Sequence, residues 1–234
     1  MSRIYKPENS LEILQDEIRG CQQCELWTTM PFNPVPGIGP KRASVMIIGE
    51  APGEDESIAE EPFVGACGRF LDTLLERAGI DRSEVYICNT VNCRPTVDGL
   101  GKKNRPPTKK EISSCSGWLD KQILEVRPTV IFTLGKIPTC SIRGLKSTIK
   151  LADYVGKWGY IYPYHSHQNI HYSSLGYWHT ANYHPSYLLQ YGKDKTELAI
   201  KVFKEGLAHL KAEQESFQKF TESLSKMGTL TELD

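Results

Sequence analysis

The chain has 234 residues, of which 39% are hydrophobic and 24% charged, with a formal net charge of +0 at pH 7. It is long enough to bury a sizeable core, carries no global field for polyanions or membranes, and lacks the run of about 18 apolar residues that a membrane span needs. No apolar stretch follows Met1 as an export signal would require, so the expectation is a cytoplasmic protein, and the odd number of Cys, seven, favours metal binding over a disulfide framework.

Residues 8 to 20 predict a helix with Leu11, Leu14 and Ile18 on one face, followed by Cys21-Gln22-Gln23-Cys24. Two thiolates one turn apart can reach one metal or cluster, although a C-x-x-C also suits redox chemistry. Four Pro and two Gly between residues 31 and 40 predict an ordered loop. Val45 to Ile48 then read as a buried strand running into the sharp turn Gly49-Glu50-Ala51-Pro52-Gly53, with the acids Glu54, Asp55 and Glu56 behind it. Ligands of open α/β sheets bind at the C-terminal strand ends, which makes Glu50 a site candidate as well as an ordinary turn acid.

The segment Arg69 to Ala78 predicts a helix stopped by Gly79, and Val85 to Val91 a second buried strand leading to Asn92-Cys93-Arg94-Pro95. Residues 97 to 107 predict a loop rich in Gly, Lys and Pro. Thr108-Lys109-Lys110-Glu111 is a capping box for a helix to about Val126, with Cys115, Trp118, Leu119 and Ile123 inside. Thr129 to Gly135 predict a third buried strand; Tyr160 to Tyr164 and Tyr177 to Tyr183 predict two more. His184-Pro185-Ser186-Tyr187 opens a helical turn, and Thr196 to about Lys211 an amphipathic helix burying Leu198, Val202, Phe203, Leu207 and Leu210. The residues from about 212 to 234 are polar and expected to fray.

This order predicts an α/β fold, three layers α/β/α with a mainly parallel central sheet, in one domain spanning residues 1–234. Glu50, Asn89 and His184 each fall at the C-terminal end of a predicted strand, so three polar residues meet at one sheet edge.

Taken together, Gly49-Glu50-Ala51-Pro52-Gly53, Pro62-Phe63-Val64-Gly65, Asn89 ahead of Cys93-Arg94-Pro95, and His184-Pro185-Ser186-Tyr187 resemble the family 4 uracil-DNA glycosylases, the iron–sulfur branch of the uracil-DNA glycosylase superfamily. The resemblance runs from about residue 10 to 192 and is far more specific than any one motif. It implies a monofunctional enzyme that hydrolyses uracil from single- or double-stranded DNA and leaves an abasic site. It also implies a monomer that needs no membrane. Rival readings are a glycosylase for another deaminated or modified base, and a non-catalytic nucleic-acid-binding subunit of the same fold.

The resemblance matches Cys21, Cys24, Cys93 and Cys115 to the family's cluster ligands, in a cluster-binding segment of about residues 1–40 and the region after the second strand. Four thiolates suit a [4Fe–4S] centre or a tetrahedral zinc, in a structural role. Cys67, Cys88 and Cys140 read as small buried hydrophobes, and His165, His167, His171 and His179 as structural.

Phe63 is implied to stack on the flipped base, Asn89 to read O4 and N3–H of uracil, and His184 to donate to O2 of the leaving base. Gly49, Glu50 and Ala51 match the turn that contacts uracil. The cluster-free branch of the superfamily has an Asp where this chain has Ala51 and a Tyr where it has Gly53. The water-positioning group is therefore sought among Glu50, Glu54, Asp55 and Glu56, with Glu50 preferred, and the means of excluding thymine stays open. Tyr187, Leu188 and Leu189 suit either a minor-groove wedge or the first turn of a buried helix. Twenty-one residues separate Cys93 from Cys115, more than the family pattern leads one to expect. This loop holds no His like the one with which a covalently trapping relative attacks the sugar. Arg94, Lys102, Lys103 and Arg105 are its candidate phosphate contacts, against the reading of a solvated insertion. No Lys is placed as an evident Schiff-base nucleophile.

Overall fold

A computed structural model describes residues 9–29, 33–97, 103–162, 164–165, 170–171 and 176–228. Its centre is a five-stranded sheet. Strands β1 (Val45–Gly49), β2 (Val85–Asn89) and β3 (Val130–Leu134) are buried at every residue. Uninterrupted burial is what a parallel strand covered on both faces requires. A separate two-residue pair joins β5 (Tyr164–His165) and β6 (Ile170–His171). In the main sheet, β1 runs parallel to both β2 and β3, and β3 parallel to β7 (Tyr177–Asn182). Only the edge strand β4 (Gly159–Ile161) is antiparallel, and the strand order is β2-β1-β3-β7-β4.

Alternate side chains of the strands feed two cores. On one face Ile47, Ile87, Val130 and Phe132 pack with α4 (Ala66–Ala78) and α8 (Thr196–Gly228). On the other, Met46, Ile48, Tyr86 and Ile131 pack with α1 (Ser10–Arg19) and α5 (Lys109–Val126). The three expected layers result. A third, smaller cluster joins Leu14 and Ile18 of α1 to Val91, Cys115 and Trp118, with Cys21 and Ala51 against it. The short helices are α2 (Leu26–Thr29), α3 (Glu54–Ala59), α6 (Lys136–Arg143) and α7 (Pro185–Gln190).

The structure departs from the sequence reading in several places. Glu54, Asp55 and Glu56 are not loop acids but the first turn of α3, where the helix dipole favours negative charge. α4 starts at Ala66 rather than Arg69. The sequence pattern does not signal α6; its Pro138 sits in the first turn, where a missing N–H costs nothing. α8 continues to Gly228, so residues 212–228 form a helix rather than a frayed tail, with Phe217 and Phe220 exposed. Leu198 is 41% exposed rather than buried. Cys88 is buried as expected, but Cys67 and Cys140 are only half-buried. Lys102 and His167, and the side chains of His165 and His171, lie outside the described residues.

His179 is structural, and its partners show how. Arg143 Nε donates to Nδ1 at 2.9 Å, which leaves Nε2 to face Thr133 Oγ1 at 2.9 Å. Thr133 Oγ1 is 2.9 Å from Thr139 Oγ1, and Thr139 donates to the Gly135 carbonyl at 2.7 Å. Burial and the adjacent guanidinium push the His179 pKa down to about 3. No helix among the described residues is long and apolar enough to cross a membrane.

Candidate active site

The C-terminal ends of β1, β2, β3 and β7 open into a cleft of about 740 Å³. Glu50, Ala51, Phe63, Asn89, His184 and Tyr187, all singled out in the sequence, line it. The parallel strands bring them there: β1 delivers Glu50, β2 ends on Asn89, and β7 is followed by His184.

Asn89 is 2% exposed, and its Oδ1 has no hydrogen-bond partner among the described residues. Gly49 lies beside it in register. A β-carbon on Gly49 would stand 2.4 Å from Asn89 Oδ1 and 2.6 Å from the Phe63 ring, so both groups close over a bare α-carbon. Phe63 has a φ of 57°, a left-handed backbone that non-glycine residues seldom adopt. Its ring lies 6.0 Å from the His184 imidazole, centroid to centroid.

His184 caps the N-terminus of α7 with its own ring. The Ser186 amide donates to Nδ1 at 3.2 Å, and Ser186 Oγ is 2.7 Å from the same nitrogen. An amide N–H can only donate, so Nδ1 accepts and the proton of the neutral ring resides on Nε2. Burial pushes the His184 pKa down to about 4, which keeps the ring neutral at physiological pH. The site thus holds a neutral N–H donor of fixed tautomer.

Among the four acids, Glu56 is committed to the scaffold. Its carboxylate accepts the amides of Gly53 at 3.1 Å and Gly65 at 2.9 Å, tying the turn after β1 to the Phe63 loop. Glu54 faces outward and reaches Arg94 at 3.5 Å. Asp55 is exposed. Glu50 is half-buried in the cleft wall, and burial raises its pKa. Of the four, it is the carboxylate that lines the cleft without being spent on the backbone.

The proposed DNA contacts separate by burial. Arg94 is 4% exposed; its Nε donates to Asn104 Oδ1 at 2.7 Å. Arg105 lines the cleft, but its guanidinium forks onto Glu111 at 2.7 and 2.9 Å, and Nε holds the Thr96 carbonyl at 3.0 Å. Both arginines are therefore knotted into the loop. Lys103 is exposed. Tyr187 is 38% and Leu189 40% exposed, whereas Leu188 is 0% exposed within the main core. Leu188 therefore cannot be a wedge: the helical turn aims it inward and its two neighbours outward.

Sequence reasoning missed Lys136, which is exposed and lines the cleft at the start of α6. The signal was present, since Leu134-Gly135 repeats the strand-to-glycine ending of Ile48-Gly49. Lys136 lacks the apolar enclosure that activates nucleophilic lysines.

Below the cleft, Cys21 and Cys24 follow α1, Cys93 follows β2, and Cys115 lies on α5. Cys21 packs against the small cluster that contains Cys115, and ionisation of Cys115, Cys24 or Cys21 would raise the Cys93 thiol further. Trp118 Nε1 donates to Cys21 Sγ at 3.0 Å and the Asn92 amide to Cys115 Sγ at 3.4 Å. Burial pushes the Cys115 thiol up to about 12 and raises Cys93 as well. A thiolate set in such surroundings needs cationic compensation, which a metal centre supplies. Among the described residues, no three His, Cys, Asp or Glu side chains close up as a single-ion site. A cubane asks less of them, because each thiolate binds its own iron. The donor set fits an iron–sulfur cluster in softness, burial and N–H···S support.

A family model described as the uracil DNA glycosylase superfamily matches residues 36–210. A type-4 uracil-DNA glycosylase of Saccharolobus solfataricus is 45% identical over 132 residues, 56% of this chain and 58% of that protein. One of Sulfurisphaera tokodaii is 42% identical over 132 residues, 56% of this chain and 57% of that protein. One of Pyrobaculum aerophilum is 39% identical over 149 residues, 63% of this chain and 72% of that protein. The chain thus covers little more than half the length of the first two. The family match takes in the whole sheet and every strand end that forms the cleft, and the chain belongs to the uracil DNA glycosylase superfamily, among its type-4 members.

Proposed function

We propose that this protein is a monofunctional uracil-DNA glycosylase acting on single- or double-stranded DNA as a single-domain monomer. The observation that carries the reading is the buried, unpartnered Oδ1 of Asn89 at the cleft floor. An orphan acceptor costs about 1–3 kcal/mol until a donor arrives. Uracil offers that donor at N3–H and an acceptor at O4 for Asn89 Nδ2. Cytosine offers neither in the same places, so it leaves the amide unpaired.

The chemistry follows from the neighbours. The flipped base stacks on Phe63, and the glycosidic bond lengthens as the sugar becomes oxocarbenium-like. Negative charge gathers on uracil O2, where Nε2–H of His184 donates to it. A neutral donor suits this task, because it hydrogen-bonds the departing anion without the ring first having to take up a proton. Glu50 offsets the positive sugar and orients the water that attacks C1′. Lys103 and Lys136 meet backbone phosphates, and Tyr187 with Leu189 enters the space the base vacates.

Cys21, Cys24, Cys93 and Cys115 hold a [4Fe–4S] cluster, which ties the N-terminal segment to the loop after β2 and supplies no step of the hydrolysis. The test is purified protein on oligonucleotides carrying uracil, a thymine mismatch, hypoxanthine or 5-hydroxymethyluracil, followed by alkali cleavage. Cleavage of the uracil strand alone is expected. Equal cleavage of another strand, or none, overturns the assignment.

A further inference from the structure

Phe63 holds its ring under the base site from an unfavourable backbone, so something must fix it there. Arg82, in a 3-10 turn just before β2, is placed to do so. Its Nη2 donates to the carbonyls of Pro62 at 3.1 Å and Phe63 at 3.0 Å. Its Nη1 is held by Asp72 of α4 at 2.6 Å. From the other side, Gly68 of α4 presses on the same peptide. A β-carbon there would lie 1.8 Å from the Phe63 carbonyl oxygen. The Phe63 peptide is thus clamped between a guanidinium fork and a bare helix turn.

Arg82 does not line the cleft; it borders a groove on the far side of this loop, with Pro62, Asp81 and Val85. We propose that Arg82, oriented by Asp72, is a positioning residue for base recognition, setting the height of the Phe63 ring against Asn89 and His184. The proposal rests on the uracil reading above. A fork is needed, because two carbonyls and one carboxylate cannot be served in fixed geometry by a single ammonium. A misplaced ring costs both stacking and the alignment of the leaving base.

The test compares Arg82→Gln, Arg82→Lys and Asp72→Ala with wild type in four measurements. In single-turnover excision, Arg82→Gln is expected to lose about tenfold to a hundredfold, the scale of a small misalignment. Inhibition by free uracil should weaken alongside it, while affinity for abasic DNA stays at the wild-type level. Arg82→Lys should not rescue, whereas a merely stabilising ion pair would be rescued by lysine. In a Phe63→Leu background, Arg82→Gln should cost little more, because the platform it positions is gone. The fourth measurement needs no substrate: amide exchange of residues 63–69 in the free protein should quicken in Arg82→Gln while that of β1 and β3 holds. If wild type excises no uracil, the functional reading fails and the exchange result alone decides the clamp. Unchanged exchange, unchanged uracil inhibition or full rescue by lysine overturns the proposal. Should Arg82→Gln not fold, Asp72→Ala, which removes the acceptor that orients the fork, carries the excision, inhibition and exchange comparisons.

Discussion

Gly49 and Asn89 are paired across β1 and β2 so closely that a methyl group on Gly49 would stand 2.4 Å from Asn89 Oδ1. The glycine is required by proximity, since it carries none of the positive φ values in the chain. Gly49→Ala is therefore expected to push aside both the Asn89 amide and the Phe63 ring. Single-turnover excision should fall about a hundredfold or more, the scale for losing one preorganised donor. Binding to abasic DNA should persist. Wild-type excision by Gly49→Ala would mean that the base sits elsewhere in the cleft.

Asn89→Ala and His184→Ala should each lower excision by roughly 10²-fold or more without unfolding the protein, because both sit at element ends. Ser186→Ala has a subtler outcome. It removes the Oγ contact to Nδ1 but leaves the backbone amide that sets the tautomer, so only a small loss is expected. If Ser186→Ala matches His184→Ala in excision rate, the amide does not fix the ring.

The pH behaviour separates three groups. His184 at about 4 is neutral through physiological pH, so the excision rate should show no break near the ordinary histidine value. Glu50, raised by burial, should give the acid limb, displaced above the usual carboxylate range and abolished in Glu50→Gln. Stability follows a different sign. His179 at about 3 and His184 at about 4 are depressed from 6.5, so the unfolded chain binds more protons across that interval. Stability is full above about 6.5 and declines as pH falls toward 4 and 3. Urea midpoints at pH 7.5 and pH 5 should differ in that direction, and less so in His179→Gln. A higher midpoint at pH 5 would contradict the burial argument.

Much of this was legible in the sequence for a physical reason. A strand buried on both faces must be apolar throughout, so β1, β2 and β3 stand out in the sequence, and whatever follows them lands on one sheet edge. That brings Glu50 after β1 and Asn89 at the end of β2 together, and His184 joins them because β7, less completely buried, runs parallel to β3 in the same sheet. What stayed hidden depends on contacts between distant segments. Nothing local distinguishes Arg105, forked onto Glu111, from the exposed Lys103 beside it. Leu188 and Leu189 look alike in sequence, and only packing against the core sends one inward. The Arg82 clamp joins residues 10 and 19–20 positions apart, beyond any helical or strand period.

The proposed cluster has a direct test. Protein purified without oxygen should be brown, with about four irons and four sulfides per chain and a visible band that bleaches on reduction. Cys93→Ala and Cys115→Ala should lose iron and melt earlier, because the N-terminal segment is then tied to the loop after β2 by packing alone. A colourless protein carrying one zinc, or Cys93→Ala with full iron and unchanged melting, would rule the cluster out.

The chain is neutral overall, so affinity for phosphates must be local. The loop after Cys93 looks basic, yet its two arginines serve the fold: Arg94 is buried against Asn104, and Arg105 is locked by Glu111, whose own pKa it lowers. Lys110 is paired with Glu25, and Lys195 with Asp194. Lys136 is exposed and lines the cleft, and Lys103 is exposed beside Asn104, which lines it; Lys109 and Lys193 are exposed too but do not line it. Lys103→Gln with Lys136→Gln should therefore flatten the dependence of log affinity on log salt by about 0.9 for each phosphate that is no longer neutralised. The weakening should be alike for every DNA sequence, and excision at saturating enzyme should hardly change. Arg105→Gln should do the opposite: a melting temperature lower by a few degrees, about 2–4 °C per kcal/mol of destabilisation, with the salt slope intact. If Arg105→Gln flattens the slope while the lysine pair leaves it alone, the guanidinium is released from Glu111 on DNA and the assignment of roles reverses.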